Sequence, residues 1–84
     1  MGTKKMNMPT LDLHGKKQDE VYDLVDRFIM KHHHAPRVRI MPGKGAGVVA
    51  SELIKYLKQG GYPWQYEQMP NGSKNTGSVI VFLG

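Results

Sequence analysis

Arg37-Val-Arg-Ile-Met-Pro-Gly-Lys-Gly-Ala-Gly-Val-Val-Ala-Ser-Glu-Leu-Ile-Lys-Tyr-Leu57 changes its repeat halfway along. Val38 and Ile40 alternate with Arg37 and Arg39, the period of a strand with one apolar face. Pro42 stops that strand, because it has no N–H to offer a sheet. Gly43, Gly45 and Gly47 then let the backbone turn or approach another group without a Cβ in the way. From Val48 the repeat is helical, with Val49, Leu53, Tyr56 and Leu57 on one face. A strand, a glycine-rich turn carrying Lys44 and a helix N-terminus bring free N–H groups and a positive dipole end together. The ligand this suggests is a phosphate. Two common phosphate loops do not fit it. A Walker A loop needs Ser or Thr after Gly-Lys, but Gly45 follows Gly43-Lys44 and Lys17 follows Gly15-Lys16. A dinucleotide fingerprint needs a small residue where Val48 stands, and an acidic residue on a following strand that this chain does not supply in that context.

Upstream, Thr10 to His14 reads as a short strand with Leu11 and Leu13 on one side and Asp12 and His14 on the other. Gly15 ends it. Lys16 to His32 reads as a helix whose stripe is Val21, Leu24, Val25, Phe28 and Ile29, with Glu20, Asp23, Asp26, Arg27 and Lys31 on the solvated face. His32-His33-His34 invites a metal reading. Consecutive helical residues point about 100° apart, however, so the three cannot chelate one ion while the helix persists. They read instead as solvated histidines at a helix end, where the dipole favours cations.

Downstream, the second helix runs to about Gln59 and Gly60-Gly61 stops it, one glycine in the left-handed conformation. Trp64 to Met69 alternates like a strand, and Pro70 to Gly77 reads as a polar loop. Ser78 to Leu83 closes the chain with Val79 to Leu83 all apolar, which predicts a central strand with neighbours on both sides. The order is β-α-β-α-β-β. Two helices suffice to cover one face of a four-stranded sheet and leave the other open. Residues 1–9 read as a flexible basic lead-in and residues 10–84 as one domain.

Eighty-four residues make a small domain with a modest core. The absence of cysteine excludes disulfides and thiolate metal sites and is compatible with a cytoplasmic protein. No run approaches the ~20 apolar residues of a membrane span, and the first ten residues lack the apolar core of a signal peptide. The formal charge of +5 favours polyanionic partners, nucleic acid or the ribosome among them.

In such a βαβ unit the first two strands end on the same edge of the sheet, which brings His14-Gly15 near Pro42-Gly43. An acid, an imidazole, a glycine loop and a lysine would share that edge. For phosphodiester cleavage these types are apt: imidazole transfers protons near neutral pH, a carboxylate orients it or holds a metal, and lysine with backbone amides stabilises phosphorane charge. The plainer reading is that Asp12 caps the following turn and His14 is hydrogen-bonded nearby.

Leu11-Asp12-Leu13-His14-Gly15, with Glu20-Val21 four residues on, resembles the L-D-x-H-G-x(4)-E-A opening of the Smr (small MutS-related) domain. The stretch from Arg37 to Val49 is similar to that family's strand leading into an H-G-x-G or T-G-x-G loop, and Asn75-Thr-Gly-Ser-Val-Ile-Val81 to its closing glycine turn and strand. The resemblance implies a two-layer α/β sandwich with sheet order 1-2-4-3 and the fourth strand antiparallel. It implies nucleic-acid binding, and an endonuclease that cleaves RNA or nicks structured DNA. The family's acid-and-histidine pair falls on Asp12 and His14 as catalytic residues, and its glycine loop on Gly43, Lys44 and Gly45. Gly15, Lys16, Arg37, Arg39 and Gly47 complete the expected phosphate-binding set. The residues demand no cofactor, though Mg²⁺ or Mn²⁺ is compatible with Asp12 as a ligand, and the chain is expected to act as a monomer. Pro42 departs from the pattern, standing where the family has His or Thr. If that side chain serves proton transfer or phosphate contact, this chain is either impaired or uses Lys44 and Arg39 instead, and Pro42→His would raise cleavage. Two alternatives stand beside the nuclease: a binding module for nucleic acid or ribosome that has lost its chemistry, and a protein-interaction domain using Tyr62, Trp64 and Tyr66.

Overall fold

The computed structural model describes residues 8–43 and 47–84. Residues 1–7 of the basic lead-in lie outside the described residues, as do Lys44 and Gly45 of the expected site. Four strands, β1 (Thr10–Asp12), β2 (Arg37–Met41), β3 (Trp64–Gln68) and β4 (Lys74–Phe82), and two helices, α1 (Val21–Lys31) and α2 (Gly47–Gly60), follow one another as β1-α1-β2-α2-β3-β4. The sheet order is β1-β2-β4-β3. β1 pairs parallel with β2, while β4 runs antiparallel to both β2 and β3. The order expected from the family resemblance is therefore the order found, with the all-apolar closing segment at the centre of the sheet.

Side-chain parity sets the two layers. Val38 and Ile40 of β2, and Val79 and Val81 of β4, are buried against Val21, Val25 and Ile29 of α1 and Val49, Leu53 and Leu57 of α2. Leu13, just past β1, joins them at 0% exposure. Leu11, Leu24, Phe28 and Tyr56 pack against this core half-buried. The charged face of α1 read from the sequence is exposed at all five positions. The tie between the helices is partly polar: Tyr56 Oη donates to Asp26 Oδ1 at 2.8 Å. Burial, and then that bond to a carboxylate, push the Tyr56 hydroxyl well above its ordinary pKa.

Element ends differ from the sequence reading for local reasons. The strand expected over Thr10–His14 stops at Asp12, because Leu13 to Lys16 forms a β-turn closed by Lys16 N–H to Leu13 C=O at 3.0 Å. Gly15 sits at the third position of that turn with φ +79°, where a side chain would be strained. The helix expected from Lys16 begins only at Val21, after a 3-10 turn over Gln18–Glu20. Glu20 Oε1 accepts the Lys17 N–H at 3.0 Å, so the tighter turn satisfies a donor that an α-helix would leave free. α2 ends as expected in a Schellman motif. Gly61 takes φ +74°, its N–H bonds Lys58 C=O at 3.2 Å, and the Tyr62 N–H bonds Leu57 C=O at 2.9 Å. The loop expected to reach Gly77 is shorter, since Lys74 and Asn75 already pair with Gln68 and Glu67. A bulge then leaves Thr76, Gly77 and Ser78 without partners between Glu67↔Asn75 and Tyr66↔Val79.

Candidate functional site

The parallel pairing of β1 and β2 builds an edge from two chain reversals. Asp12 is in register with Met41, and the Leu13 N–H extends the ladder to Met41 C=O at 2.8 Å. Immediately beyond, a Cβ placed on Gly43 would lie 3.8 Å from the Cα of His14. Gly43 itself has φ +95°. The expected meeting of His14-Gly15 with Pro42-Gly43 is thus made by backbone contact, with glycine on one side of it for conformational reasons. Asp12, His14, Gly15 and Lys16 are all exposed there.

Within this edge Asp12 has a structural duty. Its Oδ1 accepts the backbone N–H of His14 at 2.9 Å, an Asx-type turn that fixes where the histidine leaves the strand. This is the plainer capping reading, and it uses one carboxylate oxygen. Among the described residues no hydrogen bond joins the His14 ring to Asp12. Asp12 therefore sets the backbone under His14, and the ring is left in solvent.

The two arginines do not join this edge. Arg37 opens β2, paired with Phe82, at the end of the strand remote from Met41 and Gly43. Arg39 lies on the helix-free face, in register with Ile80, and reaches across β4 to β3. Its Nε donates to Glu67 Oε1 at 2.9 Å and its NH2 to Oε2 at 2.7 Å, a bidentate pair. Both side chains are about 30% exposed. Arg39 NH1 stands 3.4 Å from Thr10 Oγ1, and Ser78 Oγ donates to Glu67 Oε1 at 2.7 Å. The Arg39 guanidinium, and next the Ser78 hydroxyl, hold the Glu67 carboxyl below its ordinary pKa. Arg39 is thereby a clasp across the open face, away from the edge at Gly43. Glu67 escaped the sequence reading because strand order does not fix register: Arg39 is level with Ile80 and Gln65, and Glu67 lies beyond the register shift, across about 10 Å of sheet that two long side chains bridge.

Pro42 continues the Val38, Ile40 parity and is less than 2% exposed, so its side chain packs inward instead of standing on the solvent edge. Gly47 begins α2 and is exposed. The histidine triplet caps α1: the His32 N–H bonds Phe28 and Ile29 carbonyls, and its ring packs on Phe28 at 4.8 Å. His33 and His34 stay exposed, as expected. Among the described residues no three His, Cys, Asp or Glu side chains converge to hold a metal. Tyr62, Trp64 and Tyr66 are half-buried against the core, with Trp64 and Tyr66 edge-to-face at 5.3 Å, so their first role is packing. No helix among the described residues is long and apolar enough to cross a membrane.

With this geometry in place, comparison with known proteins adds a relation by descent. The family model of the Smr domain matches residues 11–84. The chain is similar to the proteins named endonuclease MutS2 from Streptococcus thermophilus, Streptococcus agalactiae and Streptococcus pyogenes. Each is 32% identical over 76 residues, which is 88% of this chain. The chain spans about a tenth of the length of those relatives, 10% of each.

Proposed function

The chain belongs to the Smr domain family, and from that premise we propose that it binds nucleic acid and cleaves phosphodiester bonds, in RNA or in structured DNA. The observation that carries this reading is the apposition of exposed His14 to the positive-φ Gly43, 3.8 Å from His14 Cα to a Cβ built there. A phosphate set on the Gly43 turn has His14 beside it. In this reading the imidazole moves a proton to or from a phosphodiester oxygen, the general acid and base task to which imidazole is most often put in active sites. Asp12 positions it by holding the His14 N–H. Lys16 and Lys44, with the backbone amide of Gly43 and the start of α2, supply positive charge to the phosphate. Gly15 shapes the turn. Arg39 takes no part in the chemistry.

Among the described residues Asp12 keeps one carboxylate oxygen without a backbone partner. That suits a single protein ligand to Mg²⁺ or Mn²⁺, which commonly binds through one or two carboxylates and substrate phosphate. Such an ion would neutralise phosphate charge, and the proton transfer assigned to His14 does not depend on it.

The test is cleavage of labelled RNA and DNA by the native chain and by His14→Ala, with and without chelator, beside a binding assay on the same substrates. Cleavage that disappears with His14 while binding persists is the expected result. A second reading follows from Pro42, whose burial leaves His14 without the family's loop side chain. If the native chain binds these substrates and cuts none, the domain is a binding module that kept the edge and lost the chemistry.

A further inference from the structure

Next to the candidate edge lies a groove of about 600 Å³ that none of the steps above uses. Its walls are Lys17, Gln18, Asp19 and Tyr22 from the segment entering α1, and Glu52 from α2. Lys17 follows His14 by three residues, so their Cα atoms lie within about 11 Å of each other. A strand whose phosphate rests on the Gly43 turn can therefore bring a neighbouring base to the groove.

The lining selects a neutral, flat ligand over a second phosphate. Asp19 and Glu52 are two carboxylates offset by Lys17 in the lining and Lys55 beside it, a balance that leaves no net positive charge to draw a phosphate. Tyr22 offers a platform already in place. Its ring meets Tyr56 edge-to-face at 5.3 Å and 76°, and its hydroxyl lies 3.3 Å from Gln59 Oε1. Gln18 Nε2 donates to Glu52 Oε2 at 3.0 Å, and Lys55 Nζ is 3.7 Å from that same oxygen. Among the described residues Glu52 Oε1, the Asp19 carboxylate and Gln18 Oε1 remain as acceptors. A nucleobase has a π face for the tyrosine, and its exocyclic amine has protons for carboxylates.

We propose that this groove takes one unpaired nucleobase bearing an amino group, from the strand whose phosphate lies at His14 and Gly43. Uracil and thymine are disfavoured, since they would turn carbonyls toward the carboxylates. The substrate is accordingly single-stranded at that nucleotide, because a paired base has neither its face nor its Watson–Crick edge free. This rests on the reading of the edge as a nucleic-acid site and narrows the substrate class.

The experiment is fluorescence anisotropy of the full chain with labelled oligo-C, oligo-A and oligo-U of equal length, their DNA counterparts, and a duplex. Tighter binding of C and A than of U or T, and of single strands than of duplex, is expected. Tyr22→Leu should weaken single-strand binding at least about fivefold by removing the stack. Asp19→Asn, at an exposed position, should shrink the C-over-U preference, and it decides the matter should Tyr22→Leu fail to fold by its melting curve. Equal binding of all single strands, unchanged in Asp19→Asn, overturns the base subsite and leaves the edge reading intact. So does duplex binding as tight as single-strand binding. Failure to bind any of these probes overturns both.

Discussion

Two groups of charged and polar side chains lie along this sheet, and they differ in how far their hydrogen-bonding capacity is already filled. On the open face Arg39, Glu67, Ser78 and Thr10 answer one another: the guanidinium is bidentate, the carboxylate accepts a hydroxyl as well, and Ser78 is 1% exposed. Ile80 beneath them is only 6% exposed although it faces away from the helices. At the β1–β2 edge, by contrast, Asp12 gives one oxygen to a backbone N–H, and His14 and Lys16 stand in solvent. The residue types are similar in the two places. A cluster whose members largely satisfy one another stabilises the sheet, whereas an open one at a turn is available to a ligand.

Substitutions in the two places should therefore separate activity from stability. The largest effect expected is at the edge: His14→Ala lowers cleavage by about 10²–10⁴-fold, the usual worth of a placed proton-transfer group, while the melting temperature and binding stay near wild type. A matching loss of stability in a thermal melt would move His14 into the clasp's category. Next is Pro42→His, which puts an imidazole into a site less than 2% exposed. A loss of about 1–3 kcal/mol in denaturant unfolding is expected, with no gain in cleavage. A rise in cleavage at unchanged stability would mean that position 42 reaches the edge after all.

Glu67→Gln comes third and should behave in the opposite way, costing about 1 kcal/mol of stability and leaving cleavage unchanged. The Glu67 carboxyl lies below its ordinary value of 4.5 when folded. Its contribution is therefore fully present above that pH and is lost as pH falls through the lower folded value. The gap in melting temperature between wild type and variant should accordingly close in acid, and a gap that widens there would contradict the clasp. The smallest effect is at Lys16. Lys16→Ala should reduce the log–log salt slope of nucleic-acid binding by about 1, with little change in affinity at high salt. An unchanged slope would remove Lys16 from the phosphate contacts.

The sequence alone determined the layers, because period decides burial. The i, i+3, i+4 stripe from Val21 to Ile29 and the alternation at Val38 and Ile40 can bury their apolar sides in only one way. It also determined that His14 and Gly43 would meet, since a parallel βαβ pair leaves both strand ends on one edge. Those signals are local or follow from chain handedness. The Arg39–Glu67 clasp depends instead on the register of β3 against β4, and on a bulge that sets Ser78 against Glu67. Alternation had put Arg39 on the polar side, but it could not tell a free cation from a paired one. Pro42 reads from the sequence as the stop of β2, yet the parity of that strand carries its side chain into the core. The groove at Tyr22 and Glu52 joins residues thirty positions apart. Which polar groups are free and which are filled is a property of long-range pairs, and only the packed sheet and helices bring those pairs within reach.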